Sequence, residues 1–353
     1  MAKVINFSEK EMLRIKAHAE LQGELTAMTD TEMMSLLDRS PSFNANFNNT
    51  KSTIELRGTK VFVKKLHLSK LETVPTYFTS TSNMFELPLS LQYDMCSPGA
   101  GAWRELLAAT MATNWVLASE CPNFPMMYYW RVLPRDRRDD IDQATVEEVK
   151  QAVRRFSDAE GLANRYELLM GAEHDVVLFM EHIPSNLREW LLANPQSRDA
   201  AAESIFSSID AQLAKITQYI REHGMLHLAC HFDNILTDGE QLFLADFRHS
   251  ICTQFELTPS EMSFYKRHER FDELYMQAYL VNTILASEFT VKDWYSGEKI
   301  EKLELYLAGA SGVLPPYLDK LVHYYKKSTT TMNDFFLRYH QSKEARFHAN
   351  ARP

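Results

Sequence analysis

Two polar residues near the middle of the chain, Asn234 and Asp246, have the side-chain chemistry of magnesium ligands. The segments NILTD and QLFLADF that contain them are typical of two short strands, and the DGE turn between them favours a hairpin. A hairpin would bring both residues to one edge, where an amide oxygen and a carboxylate suit a hard metal ion. Taken singly, Asp246 could equally be a turn residue and Asn234 a cap at the start of a strand.

The wider segment HGMLHLACHFDNILTDGEQLFLADFRHS resembles the catalytic and metal-binding loops of the protein-kinase-like superfamily, in the branch of aminoglycoside phosphotransferases and bacterial kinases. That pattern has His-x-Asp, an Asn downstream, a hairpin and then Asp-Phe-Gly. His227, Asn234 and Asp246 fall in this register, and Ala229 stands at the position of the aspartate. The resemblance implies ATP and Mg2+ as cofactors, with Asn234 and Asp246 as the metal ligands.

Ala229 removes the side chain that, by the resemblance, accepts or orients the proton of the acceptor hydroxyl. A methyl group can do neither, so we expect nucleotide binding to survive and transfer to be lost or strongly reduced. An inactivating Asp→Ala substitution and a natural pseudokinase both explain this pattern, and the retained ligands favour the first. Asp233 and His231 are neighbouring candidates for a substitute base. His231 matches a position where these families place a basic phosphate contact.

The resemblance also requires a strand lysine that reaches the phosphates and a helix glutamate that holds this lysine. The segment VFVKK offers Lys64 and Lys65, and comparison with Val-Ala-Ile-Lys favours Lys64, which strand alternation places on the same face as Phe62. Glu105, in the first turn of the helix WRELLAATMATNWVLA, is the simplest partner, although a carboxylate there also suits the helix dipole. The long separation implies an insertion at 66–98.

Glycines that could approach phosphate are scarce in the predicted hairpin. No Gly-x-Gly-x-x-Gly lies between its strands, where only Gly58 is present, so the usual phosphate lid is degenerate or absent. Gly99 and Gly101 precede the helix of Glu105, where free N–H groups could instead cradle phosphate. The alternative is a plain helix-entry loop.

Two further expectations rest on the resemblance alone. Backbone around Met180, Glu181, His182 and Ile183, after the strand DVVLFMEHI, would contact adenine. Arg248 replaces the glycine of the Asp-Phe-Gly motif, so we expect restricted backbone freedom in this segment.

These residues require a small antiparallel sheet followed by a mainly helical region. The segments STIELRG and TKVFVKKLHL predict a hairpin, FPMMYYWRVL and DVVLFMEHI predict buried strands, and the chain after residue 200 has helical periodicity. This pattern predicts an α+β chain, and the resemblance implies that it is a bilobal protein-kinase-like fold. Residues 1–50 form a helical N-terminal extension and linker, 51–183 the sheet lobe with insertions, and 184–353 the helical lobe.

Local signals predict several element boundaries. Ser8 with Glu11 makes a capping box, and Asp30 or Thr31 is expected to cap the next helix. The charged, periodic segment DRRDDIDQATVEEVKQAVRRFSD predicts an exposed inserted helix. Gly224 should end a long amphipathic helix.

Composition excludes several classes of protein. Among 353 residues, 45% are apolar and 24% charged, which is typical of a globular protein large enough for two lobes, and the net charge of −9 argues against nucleic acid as a partner. The N-terminus lacks a secretory signal and no window suits a membrane span, so no membrane partner is expected. Cys96, Cys121, Cys230 and Cys252 show no ligand spacing and predict reduced thiols in a cytoplasmic protein.

The resemblance implies an ATP-dependent, bacterial-type kinase acting on Ser/Thr hydroxyls of a protein, itself included, in a form inactivated at Ala229. Two alternatives stay open. A small-molecule phosphotransferase shares the same loops, although no acidic cluster for a cationic acceptor is evident. A pseudokinase scaffold would bind nucleotide and use its helical extension and C-terminal helices to bind a regulatory protein partner.

Overall fold

The computed structural model describes residues 8–40, 49–93, 99–135, 143–157, 159–194, 200–288, 297–309 and 314–348. The architecture is mixed α+β, with a small antiparallel sheet and many helices. Contacts divide the chain into two compact units: Met1–Ile183 with Ala245–His249 and Phe255–Leu257, and Pro184–Leu244 with Ser250–Gln254 and Thr258–Pro353. Within the described ranges, every helix is too short or too polar to cross a lipid bilayer.

The first unit is built on a four-stranded antiparallel sheet with the order β1-β2-β4-β3. Its strands are β1 (Asn49–Leu56), β2 (Thr59–Leu68), β3 (Met127–Pro134) and β4 (His174–Glu181). All four predicted strands are confirmed. The predicted N-terminal extension and linker, residues 1–50, overlap the start of β1 at Asn49, and residues 41–48 lie outside the described part of the chain.

The β1–β2 hairpin turns through Arg57 and Gly58, which have φ angles of 51° and 74°. Positive φ at both positions is the geometry of a two-residue type I′ turn, whose twist matches that of the flanking strands. Leu56 pairs with Thr59 across this turn. The predicted hairpin is confirmed, and the turn sets its register.

Two N-terminal helices, α1 (Glu9–Ala27) and α2 (Asp30–Asp38), cover one face of this sheet. A list of the buried side chains in their shared core reads Leu21, Leu25, Met33, Leu37, Ile54, Leu56, Val61, Val63, Tyr128, Leu133, Val177 and Phe179. The capping box of Ser8 and Glu11 is confirmed. The cap of α2 is Thr29, which pairs with Glu32, and not Asp30 or Thr31. The boundary predicted at residue 50 thus separates segments that share one core.

The remaining helices of the first unit are α3 (Lys70–Thr73), α4 (Ala102–Leu117), α5 (Gln143–Arg155) and α6 (Glu160–Met170), with a 3-10 turn at Leu89–Tyr93. The predicted helix α4 is confirmed, and α6 was not predicted. The inserted helix α5 is less exposed than its charge suggested, because Ala152 and Phe156 are buried against α6 and Phe85. Residues 136–142 of that prediction lie outside the described ranges.

The second unit is mainly helical, with short strands. Its elements are β5 (Ser185–Asn186), α7 (Leu187–Ala193), α8 (Ala200–Glu222), β6 (Met225–Leu226), β7 (Ile235–Thr237), β8 (Leu242–Leu244), β9 (Ile251–Cys252), α9 (Pro259–His268), α10 (Phe271–Glu288), α11 (Glu298–Leu307) and α12 (Pro316–Gln341). The predicted β7–β8 hairpin is confirmed. Gly224 follows α8 with φ 73°, which suits its predicted role as the helix stop. No disulfide joins the described cysteines Cys121, Cys230 and Cys252, while Cys96 lies outside the described ranges.

Candidate functional site

A buried ionic cluster in the first unit contains three of the residues singled out from the sequence. Lys64 Nζ forms an ion pair with Glu105 and lies 3.1 Å from Asp246 Oδ1. Lys64 and Glu105 are 3% and 4% exposed. Because charges are buried only when they are paired, this contact is a specific feature of the fold.

Three different elements supply these side chains. Lys64 comes from the central strand β2, which pairs with β4 so that Lys64 lies opposite Leu178. Glu105 comes from the first turn of α4. Asp246 follows β8 directly and is part of the return segment Ala245–His249 that belongs to the first unit.

The orientation of α4 is set by contacts at its N-terminal end. Trp103 Nε1 donates to the Glu72 carbonyl at 3.1 Å, and Arg104 Nε donates to the Thr81 carbonyl at 2.6 Å. Both side chains are at most 2% exposed. These large buried side chains hold the helix in the rotation that directs Glu105 toward Lys64.

Lys51 is a fourth member of the cluster that sequence reasoning missed. It lies on β1 directly opposite Lys64. Burial lowers the pKa of Lys51, and the positive charge of Lys64 lowers it further. The sequence contains enough information to predict this pair, because a hairpin with a two-residue turn at Gly58 places Lys51 opposite Lys64 in its register.

Asp246 has an unusual backbone and an ionised side chain. Its φ of 64° is rare for a residue with a side chain and costs energy that the surrounding structure must offset. Burial acts to raise its pKa, but the charges of Arg248, Lys64 and Lys51 outweigh burial and hold the pKa well below its usual range. The carboxylate is therefore negative at neutral pH.

Arg248, which stands where the related motif has glycine, is part of this charge balance. Its Nη2 lies 3.3 Å from Asp246 Oδ2. With Lys51 and Lys64 it makes three cations against the carboxylates of Glu105 and Asp246. The described cluster therefore carries one positive charge in excess, which is complementary to an anion.

Gly99 and Gly101 lie in tightly packed surroundings. A Cβ on Gly99 would lie 2.5 Å from the Arg248 carbonyl oxygen, and a Cβ on Gly101 would lie 3.2 Å from Glu72 Oε1. The Ala102 N–H at the start of α4 donates to the same Glu72 oxygen at 3.0 Å. Glu72 thus occupies the helix terminus predicted to hold phosphate. The nucleotide-binding roles of both glycines stay predictions.

The loop of the second unit that contains Ala229 is anchored through its backbone. The N–H groups of His227 and Leu228 donate to Asp272 at 2.6 and 2.8 Å. Leu228 has φ 65°. Burial raises the pKa of Asp272 to about 6, against the opposing effect of these two hydrogen bonds. Sequence reasoning missed Asp272, which lies on α10, far away in the chain, and belongs to no local motif.

Within this loop, Asn234 and His231 form a short hydrogen-bonded chain. Asn234 Nδ2 donates to the Ala229 carbonyl at 3.0 Å and lies 3.1 Å from His231 Nε2. Because an amide nitrogen only donates, His231 Nε2 accepts, and the Nδ1 proton points to Asp233 Oδ2 at 3.1 Å. Among the contacts of the described residues, none engages the amide oxygen of Asn234, so this oxygen can serve as a ligand.

Asp233, one candidate for a substitute base near Ala229, is not arranged as a strong proton acceptor. Arg188 pairs with both carboxylate oxygens of Asp233 at 2.9 Å and also contacts the Tyr279 hydroxyl. Burial opposes the shift, but His231 and Arg188 together lower the pKa of Asp233, which weakens it as a proton acceptor. Ala229 itself is buried and carries only a methyl group.

The segment predicted to contact adenine lies at the end of β4. Met180 is 9% exposed, and Glu181 Oε2 accepts the Met126 N–H at 3.0 Å. Burial lowers the pKa of His182, and the charge of Lys60 adds to this effect. Ile183 ends the main segment of the first unit. The adenine role of all four residues stays a prediction.

The oxygen donors of Asp246 and Asn234 fit the chemistry of a magnesium ion. Within the described ranges, no group of three or more His, Cys, Asp or Glu is arranged to hold a metal by itself. Mg2+ typically takes only one or two protein oxygens and completes its shell with phosphate and water. The ionised carboxylate of Asp246 in the first unit and the available amide oxygen of Asn234 in the second are each, taken separately, oxygen donors of this kind.

The sequence matches no protein-family model, and a search of the curated proteins found no significant similarity.

Proposed function

We propose that this chain binds ATP with magnesium in the manner of a protein-kinase-like protein. In this proposal the two compact units are the sheet lobe and the helical lobe of a bilobal kinase fold. The observation that carries the proposal is the contact of Lys64 with both Glu105 and Asp246. A strand lysine held by a helix glutamate and lying beside a metal-binding aspartate is the arrangement that phosphoryl-transfer sites use.

A purely structural ion-pair network is the competing explanation, and three features argue against it. Desolvating two charges costs several kcal/mol per ion by general estimates, so a buried pair is weak evidence for stability. The cluster adds a second lysine, Lys51, which repels Lys64. It also holds Asp246 at a positive φ. Accumulated like charge and backbone strain are typical of a binding site that awaits an anion.

Different residues of the chain would bind the phosphates, the magnesium ion and the adenine. Lys64, held in position by Glu105, would contact the phosphates, and the excess positive charge around it would attract them. Asp246 would hold magnesium through a carboxylate oxygen. When bound, the metal neutralises charge on the phosphates. Backbone groups at 180–183 would contact adenine.

Transfer to an acceptor is where Ala229 matters. We propose that the parent activity is phosphorylation of a protein Ser/Thr hydroxyl, and that the chain with Ala229 binds nucleotide with little or no transfer. The methyl group cannot accept the hydroxyl proton, and the ion pair of Asp233 with Arg188 makes Asp233 a poor replacement. Magnesium and ATP binding do not require this proton acceptor.

Calorimetry with ATP and MgCl2 tests the binding step. We expect the unchanged protein to bind and Lys64→Met to weaken binding by at least about tenfold, equivalent to roughly 1.4 kcal/mol. Lys65→Met is the matched control, because Lys65 is the next residue on the same strand, is only half-buried and makes no ion pair in the described ranges. Equal affinity of the two variants, or no binding by the unchanged protein, would refute the proposal.

Restoring the carboxylate tests the transfer step. Ala229→Asp should transfer the γ-phosphate of labelled ATP to protein, while the unchanged chain should not. Label found only on an added small hydroxyl compound would indicate a small-molecule phosphotransferase. Nucleotide binding with no transfer by the restored variant would indicate a pseudokinase scaffold.

A further inference from the structure

Arg14, on the N-terminal helix α1, is buried against the end of strand β4. Its guanidinium donates from Nε and Nη2 to the two carboxylate oxygens of Glu181, each at 2.8 Å. It also donates to the carbonyls of Pro122 at 2.9 Å and Phe124 at 2.7 Å. The side chain of Arg14 is only 9% exposed. One side chain thus ties α1 to two separate segments.

Both segments are connected to the candidate site within the first unit. Glu181 lies in the predicted adenine segment, and its backbone N–H donates to the Met126 carbonyl at 2.7 Å. Phe124 packs on Phe247 with ring centroids 6.3 Å apart, and Phe247 directly follows Asp246 in the chain. The contacts of Arg14 therefore reach the adenine side and the aspartate side of the cluster.

The geometry of these contacts requires an arginine. A planar guanidinium can bind a carboxylate with two parallel hydrogen bonds and still direct donors to further acceptors, which a lysine ammonium cannot do in the same plane. Arg14 satisfies a half-buried carboxylate and two carbonyls at once. Its removal would take the donated hydrogen bonds away from Glu181 and the two carbonyls, and would leave the Met126 N–H as the remaining partner of the Glu181 side chain in the described ranges.

We propose that Arg14 is a positioning residue for the nucleotide site, through which the N-terminal helix holds the adenine segment in its binding conformation. This inference rests on the proposed nucleotide-binding function. It gives the helical extension a task in ligand binding beyond covering the sheet. Arg14 itself does not contact the nucleotide and acts through Glu181 and Phe124.

The test compares Arg14→Met with Arg131→Met. Arg131 also ties the N-terminal helices to the sheet, because its Nη1 donates to the Met28 carbonyl at 2.7 Å and lies 3.1 Å from Asp30. It has no contact with Glu181 in the described ranges. We expect Arg14→Met to weaken both adenosine and ATP with magnesium by about tenfold, and Arg131→Met to change either affinity by less than about twofold.

Adenosine, which lacks the phosphates, distinguishes an effect on the adenine segment from an effect on the phosphate contacts. Lys64→Met should weaken the binding of ATP and leave the affinity for adenosine unchanged, whereas Arg14→Met should weaken the binding of both ligands by the same factor. If Arg14→Met fails to fold, Glu181→Gln replaces it, since the amide keeps an acceptor for Met126 N–H and removes the charge. Glu181→Gln should weaken the binding of adenosine and of ATP with magnesium by about threefold each.

The outcomes distinguish the two proposals. Unchanged affinities in Arg14→Met and Glu181→Gln, with normal binding by the unchanged protein, would overturn the role of Arg14 alone. Weakening of ATP without weakening of adenosine would also overturn it. An unchanged protein that binds neither ligand would remove the proposed function and this inference together.

Discussion

The cluster around Lys64 and the loop from His227 to Asn234 differ in what determines their geometry. In the cluster, the contacts are ion pairs between charged side chains that come from separate segments of the chain. In the loop, the carboxylate of Asp272 holds the backbone itself. Changes in the cluster should therefore affect ligand binding most, and changes at Asp272 should affect stability most.

The largest expected effect is on the loop. Asp272→Ala removes the carboxylate that accepts from two buried N–H groups, and we expect the free energy of unfolding to fall by about 3–5 kcal/mol. Asp272→Asn keeps one amide oxygen and should cost only about 1–2 kcal/mol. Chemical denaturation followed by circular dichroism measures both. A loss under about 1 kcal/mol in the alanine variant would contradict the anchoring role of Asp272.

The same residue predicts a pH dependence. The pKa of Asp272 is about 6 in the folded protein and near 4 in an unfolded chain, so the folded state binds this proton more tightly. Its contribution to stability is present below pH 4 and is lost as pH rises through 6, by on the order of 3 kcal/mol. Unfolding free energies of the unchanged protein and Asp272→Asn should therefore differ by a pH-dependent amount across this window. A constant difference would contradict the raised pKa.

A glycine pair tests the packing beside the cluster. Gly99→Ala places a Cβ 2.5 Å from the Arg248 carbonyl oxygen at a φ of 66°, and should destabilise by about 2–3 kcal/mol. Gly58→Ala has a similar φ of 74° with no atom within 4 Å, so only the backbone term of about 1 kcal/mol applies. Thermal unfolding of both variants measures the difference. Equal losses would show that Arg248 adjusts.

The smallest effect on stability is expected for Lys51→Met. Because Lys64 repels Lys51, removing this charge should change the unfolding free energy by less than about 1 kcal/mol. If the cluster binds ATP with magnesium as proposed, the affinity should fall about fivefold, since one of its cations is lost. Calorimetry and denaturation on the same preparation test both. A large stability loss with unchanged affinity would assign Lys51 a structural role.

Local signals predicted the elements well where the pattern was complete within a few residues. The Ser8 capping box, the hairpin turn at Gly58 and the stop at Gly224 need only short-range contacts. The cap of α2 was placed one or two residues too late, because Asp30 and Thr31 are both good caps and only the pairing of Glu32 distinguishes Thr29. Helix α6, which follows the predicted inserted helix, was missed.

The candidate site was predicted only where a motif marks it. The structure pairs Lys64 with Glu105, as the resemblance suggested, while their roles toward nucleotide stay predictions. Asp272, Glu72 and Arg14 were not found, since each acts on backbone or side chains that lie far away in the chain. The hydrophobic periodicity of the sequence gives no information on hydrogen bonds between residues that are far apart in the chain.

By itself, the sequence determined the strands, most helices and the hairpin turns, because these depend on neighbours along the chain. It also supplied the residues whose side chains could contact magnesium or phosphate. Only the tertiary structure decided which charges meet and which buried carboxylate holds which backbone. Long-range packing fixes those contacts. The cations that packing places beside Asp246 lower its pKa against the effect of burial, whereas burial raises the pKa of Asp272.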